Sequence, residues 1–171
     1  AGALRRFLPM PYVWQITVLE KAAPPFGGFE GMLFPDFVEQ FGLDDFDTSV
    51  RALEWFTQFS SSEFAVRPLI VRYGVRMMAV MRRWASHENG HVRRLASEGC
   101  RPRLPWAMSL PEFKRDPLPV LPILEALQAD PSEYVRRSVA NNLNDIAKDH
   151  PEVVLDVARR WLGKRASAMF C

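Results

Sequence analysis

The chain is expected to be all-α, and three observations carry that expectation. Apolar residues recur at three- and four-residue spacing through most of its length, no stretch alternates apolar and polar residues long enough to build a sheet, and one helical segment returns 43 residues later. In that repeat, His91-Val-Arg-Arg-Leu-Ala and Tyr134-Val-Arg-Arg-Ser-Val hold matching places, each followed by a second apolar helix. The period is that of HEAT or armadillo-type helical pairs, which stack into a solenoid because one pair cannot bury its own apolar face.

Taken in order, residues 1–30 are rich in Pro, Gly and aromatics (Pro24-Pro25, Gly27-Gly28) and read as a poorly structured arm or the remnant of a larger region. Helical patterns begin near Gly31, with helices expected over about 33–41, 48–59, 62–73, 75–85, 90–99, 118–128, 132–148 and 151–162. Asn89-Gly90 is a turn pair, so the fifth helix should start there, with Asn89 near the N-cap. Ala129-Asp-Pro-Ser132 is a helix start with Ser132 as N-cap, and Lys148-Asp-His-Pro151 ends one helix and opens the next. Ser62-Glu-Phe-Ala-Val-Arg-Pro68 reads as a degenerate third copy of the repeat. The resulting division is an arm (1–30), a HEAT-like repeat domain (31–163) and a tail (164–171).

The helix over 132–148 separates into two chemically opposite stripes. Val135, Val139, Leu143 and Ile146 form an apolar face; Arg137, Asn141, Asn144, Asp145 and Lys148 form a polar one. Asn and Asp compete for the backbone and weaken a helix, so an ordinary solvated face would favour Glu, Lys and Gln. The alternatives are a groove that binds something polar and anionic, and a solvated face of unusual composition.

Composition adds to this. At 171 residues, 48% apolar and 25% charged, the chain is long enough for one domain with a substantial core. No apolar run approaches the ~18 residues of a membrane span. Pro9, Pro11 and Gln15 interrupt the stretch after Arg5-Arg6 that would otherwise suggest a signal sequence. Cys100 and Cys171 make neither a disulfide framework nor a CxxC motif, which fits a reducing cytoplasm. The net charge of +2 is uneven: residues 1–66 carry 4 Lys+Arg against 9 Asp+Glu, and residues 67–171 carry 18 against 11. The basic residues of the second part come largely as arginine pairs, whose planar forks match phosphate oxygens, so a nucleic-acid partner and the plain polar faces of helices are both open readings.

Among motifs, His87-Glu-Asn-Gly-His91 fits the HExxH zinc-protease pattern, but that chemistry needs both imidazoles on one helical face and the turn pair splays them apart. GxSxG, GxGxxG and phosphate-loop sequences are absent. Three carboxylates stand among basic residues at corresponding places: Glu63 with Arg67, Glu98 with Arg94, and Asp145 with Arg137, Asn141 and Lys148. Intrahelical ion pairs worth ~0.3–0.5 kcal/mol each are one explanation. The other is convergence on one solenoid face, an anionic cluster in a cationic groove, which suits a cationic base embedded in polyanionic DNA.

Ser61-Ser-Glu-Phe-Ala-Val-Arg-Pro68, His91-Val-Arg-Arg-Leu-Ala-Ser-Glu-Gly99, Arg101-Pro-Arg-Leu-Pro-Trp106 and the run from Asp130 to Pro151 together resemble the AlkC branch of the bacterial AlkC/AlkD superfamily of DNA alkylation repair glycosylases, over roughly residues 33–163. The resemblance implies HEAT-like repeats whose concave basic face holds duplex DNA, and hydrolysis of the N-glycosidic bond of cationic alkylated bases, the 3-methyladenine class, in base excision repair. It implies Glu63, Glu98 and Asp145 as active-site carboxylates and Trp106 as an aromatic contact near the lesion. Arg94, Arg101, Arg103, Arg137 and Lys148 are implied as phosphate ligands, with Asn141 and Asn144 supporting that contact. The expected enzyme is a monofunctional glycosylase without a lyase step, cofactor or metal, a cytoplasmic, nucleoid-associated monomer acting on duplex DNA with no membrane partner. Further helical repeats are expected beyond Gly163. The alternative function is a non-catalytic HEAT-like module that binds DNA or a protein.

Overall fold

A computed structural model describes residues 10–168 together with Gly2 and Arg5, the backbone alone over 163–168. Its elements are α1 (Tyr12–Ala22), a 3-10 turn (Glu30–Met32), α2 (Leu33–Phe41), α3 (Phe46–Phe56), α4 (Val66–Tyr73), α5 (Val75–Trp84), α6 (Gly90–Glu98), α7 (Pro111–Arg115), α8 (Leu121–Leu127), α9 (Glu133–Ala147) and α10 (Pro151–Ala168). No strand occurs among the described residues, and the expected all-α repeat architecture is what the chain adopts.

Helices α1 and α2 lie against α3, α4 joins α3 to α5, and α5 packs on α6. The two copies of the repeat, α6 and α9, run side by side, with α8 under both and α10 along α9. Each copy carries a first arginine that reaches back to the turn before its helix. Arg93 Nη1 donates to the carbonyls of His87 and Glu88 at 2.9 and 2.7 Å, and Arg136 Nη1 to those of Asp130 and Pro131 at 2.6 and 3.0 Å. These guanidiniums satisfy carbonyls that the turns leave without helical partners. Trp84, Phe37, Phe56, Leu53, Met77, Met81, Leu95 and Leu124 fill one continuous core.

Several boundaries differ from the sequence expectation. Residues 12–22, assigned to the arm, form α1, which buries Gln15, Ile16 and Leu19. It is rich in β-branched and aromatic residues with weak intrinsic helix preference, so packing on α3 holds it: Tyr12 OH is 2.8 Å from Ser49 Oγ, and Trp55 Nε1 donates to Glu20 O at 3.1 Å. Helix α4 begins only at Val66, leaving Glu63 in the preceding turn. The short α7, with Pro at its first position and Phe113 buried, lies in a stretch assigned no element. Asn89 caps α6, accepting from His91 N–H at 2.8 Å, as its turn pair suggested. Ser132 stands at the N-cap of α9, yet its hydroxyl makes no capping bond; Asp130 Oδ1 accepts the Ser132 N–H at 2.9 Å instead. Residues 164–168, expected in a tail, continue α10, and 169–171 lie outside the described residues.

Candidate active site

The three carboxylates do come together, through partners that cross between repeats. Arg94, on α6, bonds Glu63 in the turn before α4, and Ser61 Oγ donates to the same carboxylate. Arg94 Nη2 also lies 3.4 Å from Glu98 Oε1, one turn further along α6. Arg101, just after α6, donates from Nη1 to Glu98 Oε1 at 2.7 Å and from Nε to Asp145 Oδ2 of α9 at 2.9 Å. Lys148 Nζ ends the series 3.4 Å from Asp145 Oδ1. The result is a ladder of alternating charge, Glu63, Arg94, Glu98, Arg101, Asp145, Lys148, laid across three successive segments of the solenoid.

Burial grades along it. Glu98 and Asp145 are 4% and 3% exposed, whereas the Glu63 side chain keeps 15% of its surface. Charges this deep persist only when paired and hydrogen-bonded. Ser138 Oγ donates to Glu98 Oε2 at 2.5 Å and lies 3.0 Å from Ser97 Oγ, and fully buried Asn142 donates to Ser97 O at 2.7 Å. These bonds lock α9 onto the end of α6 and fix the rotamer of Glu98. Burial opposes the charge of Arg101, but its hydrogen bonds to Asp145 and Glu98 prevail and hold its pKa above the ordinary arginine value.

Two of the arginines expected at phosphates are paired with carboxylates of the ladder. Arg101 is 8% exposed and committed to two buried carboxylates, and moving it to a phosphate would take from both the cation they share. Arg94 keeps 16% of its side-chain surface and is held by Glu63 and Glu98. Arg137 and Lys148 project from α9 with 72% and 60% of their side chains exposed, and Arg137 pairs with Glu133 rather than with Asp145. Asn144 is exposed and Asn141 half-buried on the same helix. Arg103 is half-exposed and clasps Asp149, with Nη2 2.7 Å from Oδ1.

Trp106 is 99% exposed and has φ of 63°, the left-handed region that a bulky residue rarely enters. Its loop is fastened on both sides. Arg101 and Arg103 anchor the start, Leu110 N–H returns to Pro102 O at 3.2 Å, and Arg67 Nε donates to Met108 O at 2.7 Å.

Beside the Glu63 end of the ladder opens a cleft of about 380 Å³, whose lining includes Ser61, Phe59, His91, Arg94 and Tyr134. Tyr134 is half-exposed, with Arg94 over its ring at 5.1 Å and His91 edge-on at 5.8 Å. His91 thus faces α9, while His87 lies 3.8 Å from Glu54, so the HExxH residues share no face. Among the described residues no group of three or more His, Cys, Asp or Glu is placed to hold a metal ion, and no helix is long and apolar enough to cross a membrane.

Sequence reasoning paired Glu63 with Arg67 by helical spacing and passed over Tyr134, Ser138 and Asn142. The last two stand four residues apart beside Val135 and Val139, so their register next to the apolar stripe was a usable signal.

Comparison with known proteins places this geometry in context. Residues 40–169 match the family model described as DNA alkylation repair enzyme. The chain is 56% identical over 161 residues to the uncharacterized protein YhaZ of Bacillus subtilis strain 168, covering 94% of this chain and 45% of that protein. Its fold superposes with a TM-score of 0.85 and 49% identity on Pseudomonas fluorescens alkylpurine DNA glycosylase AlkC bound to DNA containing an abasic site analog, covering 87% of this chain and 42% of that one. The chain thus spans less than half the length of either relative.

Proposed function

Because the chain belongs to the DNA alkylation repair enzyme family, we propose that it hydrolyses the N-glycosidic bond of cationic alkylated bases in duplex DNA, 3-methyladenine foremost. The observation that carries this reading is the ladder, in which Glu63, Glu98 and Asp145, remote in sequence, are brought into one line by Arg94 and Arg101, at the start of the loop that carries the exposed Trp106.

The chemistry suits those groups. An alkylated purine already bears positive charge and leaves as a neutral base, so no general acid is needed. The C1′–N bond breaks, positive charge develops on the sugar, and water adds its oxygen to C1′ while a carboxylate takes the released proton. Fixed carboxylates in a site from which DNA excludes water stabilise that sugar charge strongly. Arg94 and Arg101 hold the carboxylates in place, Trp106 contacts the duplex beside the lesion, and Arg103, Arg137 and Lys148 hold phosphates with Asn141 and Asn144 beside them. The one amine of the ladder, Lys148 Nζ, is paired with Asp145 at 3.4 Å, and the proposed reaction is hydrolysis without a lyase step, by a monomer in the cytoplasm.

A second reading, a non-catalytic module that binds DNA or a protein, draws on the same burial: Glu98 and Asp145 are almost sealed and fully paired. Incubation of the chain with methylated duplex DNA separates the two. Free 3-methyladenine and an intact abasic strand are the expected products. Binding without release would select the second reading.

A further inference from the structure

Arg67 belongs to no ion pair among the described residues, yet it has no exposed surface. Its Nε donates to Met108 O at 2.7 Å, its Nη1 to Gly99 O at 3.0 Å, and its Nη2 is buried without a hydrogen-bond partner. Burial pushes its pKa down to about 10, still well above neutrality, so the group stays charged. A buried cation without an ion pair is costly, and a core position that needed only packing would be better served by an apolar side chain.

What the guanidinium joins explains its presence. Gly99 follows Glu98 directly and stands two residues before Arg101; Met108 stands two residues after Trp106. The Gly99 end is rigid, because a Cβ there would lie 2.6 Å from Val66 Cγ2 and 2.8 Å from Met81 Cε. One planar fork therefore spans the carbonyl beside the carboxylate ladder and the carbonyl beside the exposed indole.

We infer that Arg67 is a positioning residue, which sets the distance between the Trp106 ring and the Glu98–Asp145 carboxylates so that both meet the same nucleotide. This rests on the glycosylase reading above. Lysine keeps the charge but has no fork to bridge two carbonyls. Arg67→Lys should lower the single-turnover rate of 3-methyladenine release by roughly tenfold to a hundredfold, as expected for misplacement of about 1 Å. DNA affinity should change by less than about threefold, since no phosphate contact is touched. In a Trp106→Ala background Arg67→Lys should have no further effect. Met108→Gly loosens the acceptor at an exposed site without entering the core, and should slow release in the same direction. In protein labelled with 5-fluorotryptophan, the Trp106 resonance, assigned through Trp106→Phe, should shift or broaden in Arg67→Lys while those of Trp14 and Trp55 stay in place. The inference is overturned if Arg67→Lys costs the same factor with and without Trp106, or if rate and resonance are both unchanged. Should the unsubstituted chain release no base, the glycosylase reading fails; an unmoved Trp106 resonance in Arg67→Lys would then overturn the loop assignment separately.

Discussion

Replacement of Arg101 by Met tests the ladder as a physical object. Met matches the aliphatic stem of Arg but removes the charge shared by Glu98 and Asp145, whose side chains are 6% and 4% exposed. Removing one member of a buried ion pair costs about 3–5 kcal/mol, because the abandoned carboxylate keeps its desolvation penalty. Here partial compensation survives. Ser138 still donates to Glu98, Arg94 remains 3.4 Å from Glu98, and Lys148 remains 3.4 Å from Asp145. The lower end, about 3 kcal/mol, is therefore expected, which for a domain of this size corresponds to a fall of about 6–12 °C in Tm. Thermal and urea unfolding at pH 7 measure it. If abandoned charge is the cause, adding Glu98→Gln and Asp145→Asn to Arg101→Met should restore at least half of the loss. A loss under about 1 kcal/mol, or no recovery in the triple variant, would refute the reasoning.

Two further outcomes follow from neighbouring groups. Burial works against the charge of Asp130, but the guanidinium of Arg93, with Nε at 2.6 Å, and the Ser132 amide outweigh it and hold its pKa below the usual carboxylate range. A depressed folded pKa means stability that is present above the ordinary Asp value and lost as the pH falls through about 4 and below. Asp130→Asn should therefore destabilise the chain at pH 7 and flatten its acid dependence; equal losses at pH 7 and pH 3 would contradict that. For DNA binding, Arg137→Ala or Lys148→Ala should each reduce the slope of log K against log salt by about 1, since both side chains are largely exposed. An unchanged slope removes that residue from the phosphate contacts.

The helices were largely legible because each buries a stripe at helical spacing, as Val135, Val139 and Ile146 do on α9. Helix α1 was not, since its β-branched and aromatic residues have weak helix preference beside a Pro- and Gly-rich segment, and tertiary packing makes it helical. The three carboxylates that come together could be picked out, but their partners could not. Helical spacing offers Arg67 to Glu63 and Arg137 to Asp145. The fold instead gives Arg94 to Glu63 and Arg101 to Asp145, across 31 and 44 residues of chain. Such pairs arise from the stacking of whole repeats, which no local pattern encodes. Arg67 illustrates the same limit, a cation held by two backbone carbonyls from distant segments.

The most direct test is the single-turnover release of 3-methyladenine by Asp145→Asn and Glu98→Gln, measured at saturating protein on methylated duplex DNA. Both changes preserve shape while removing the negative charge that would stabilise the sugar cation, and each turns one acceptor oxygen into an amide donor. Release slowed by about 100-fold or more, with DNA affinity retained, is the predicted result. Release at the unsubstituted rate by both variants would contradict a catalytic role for the ladder.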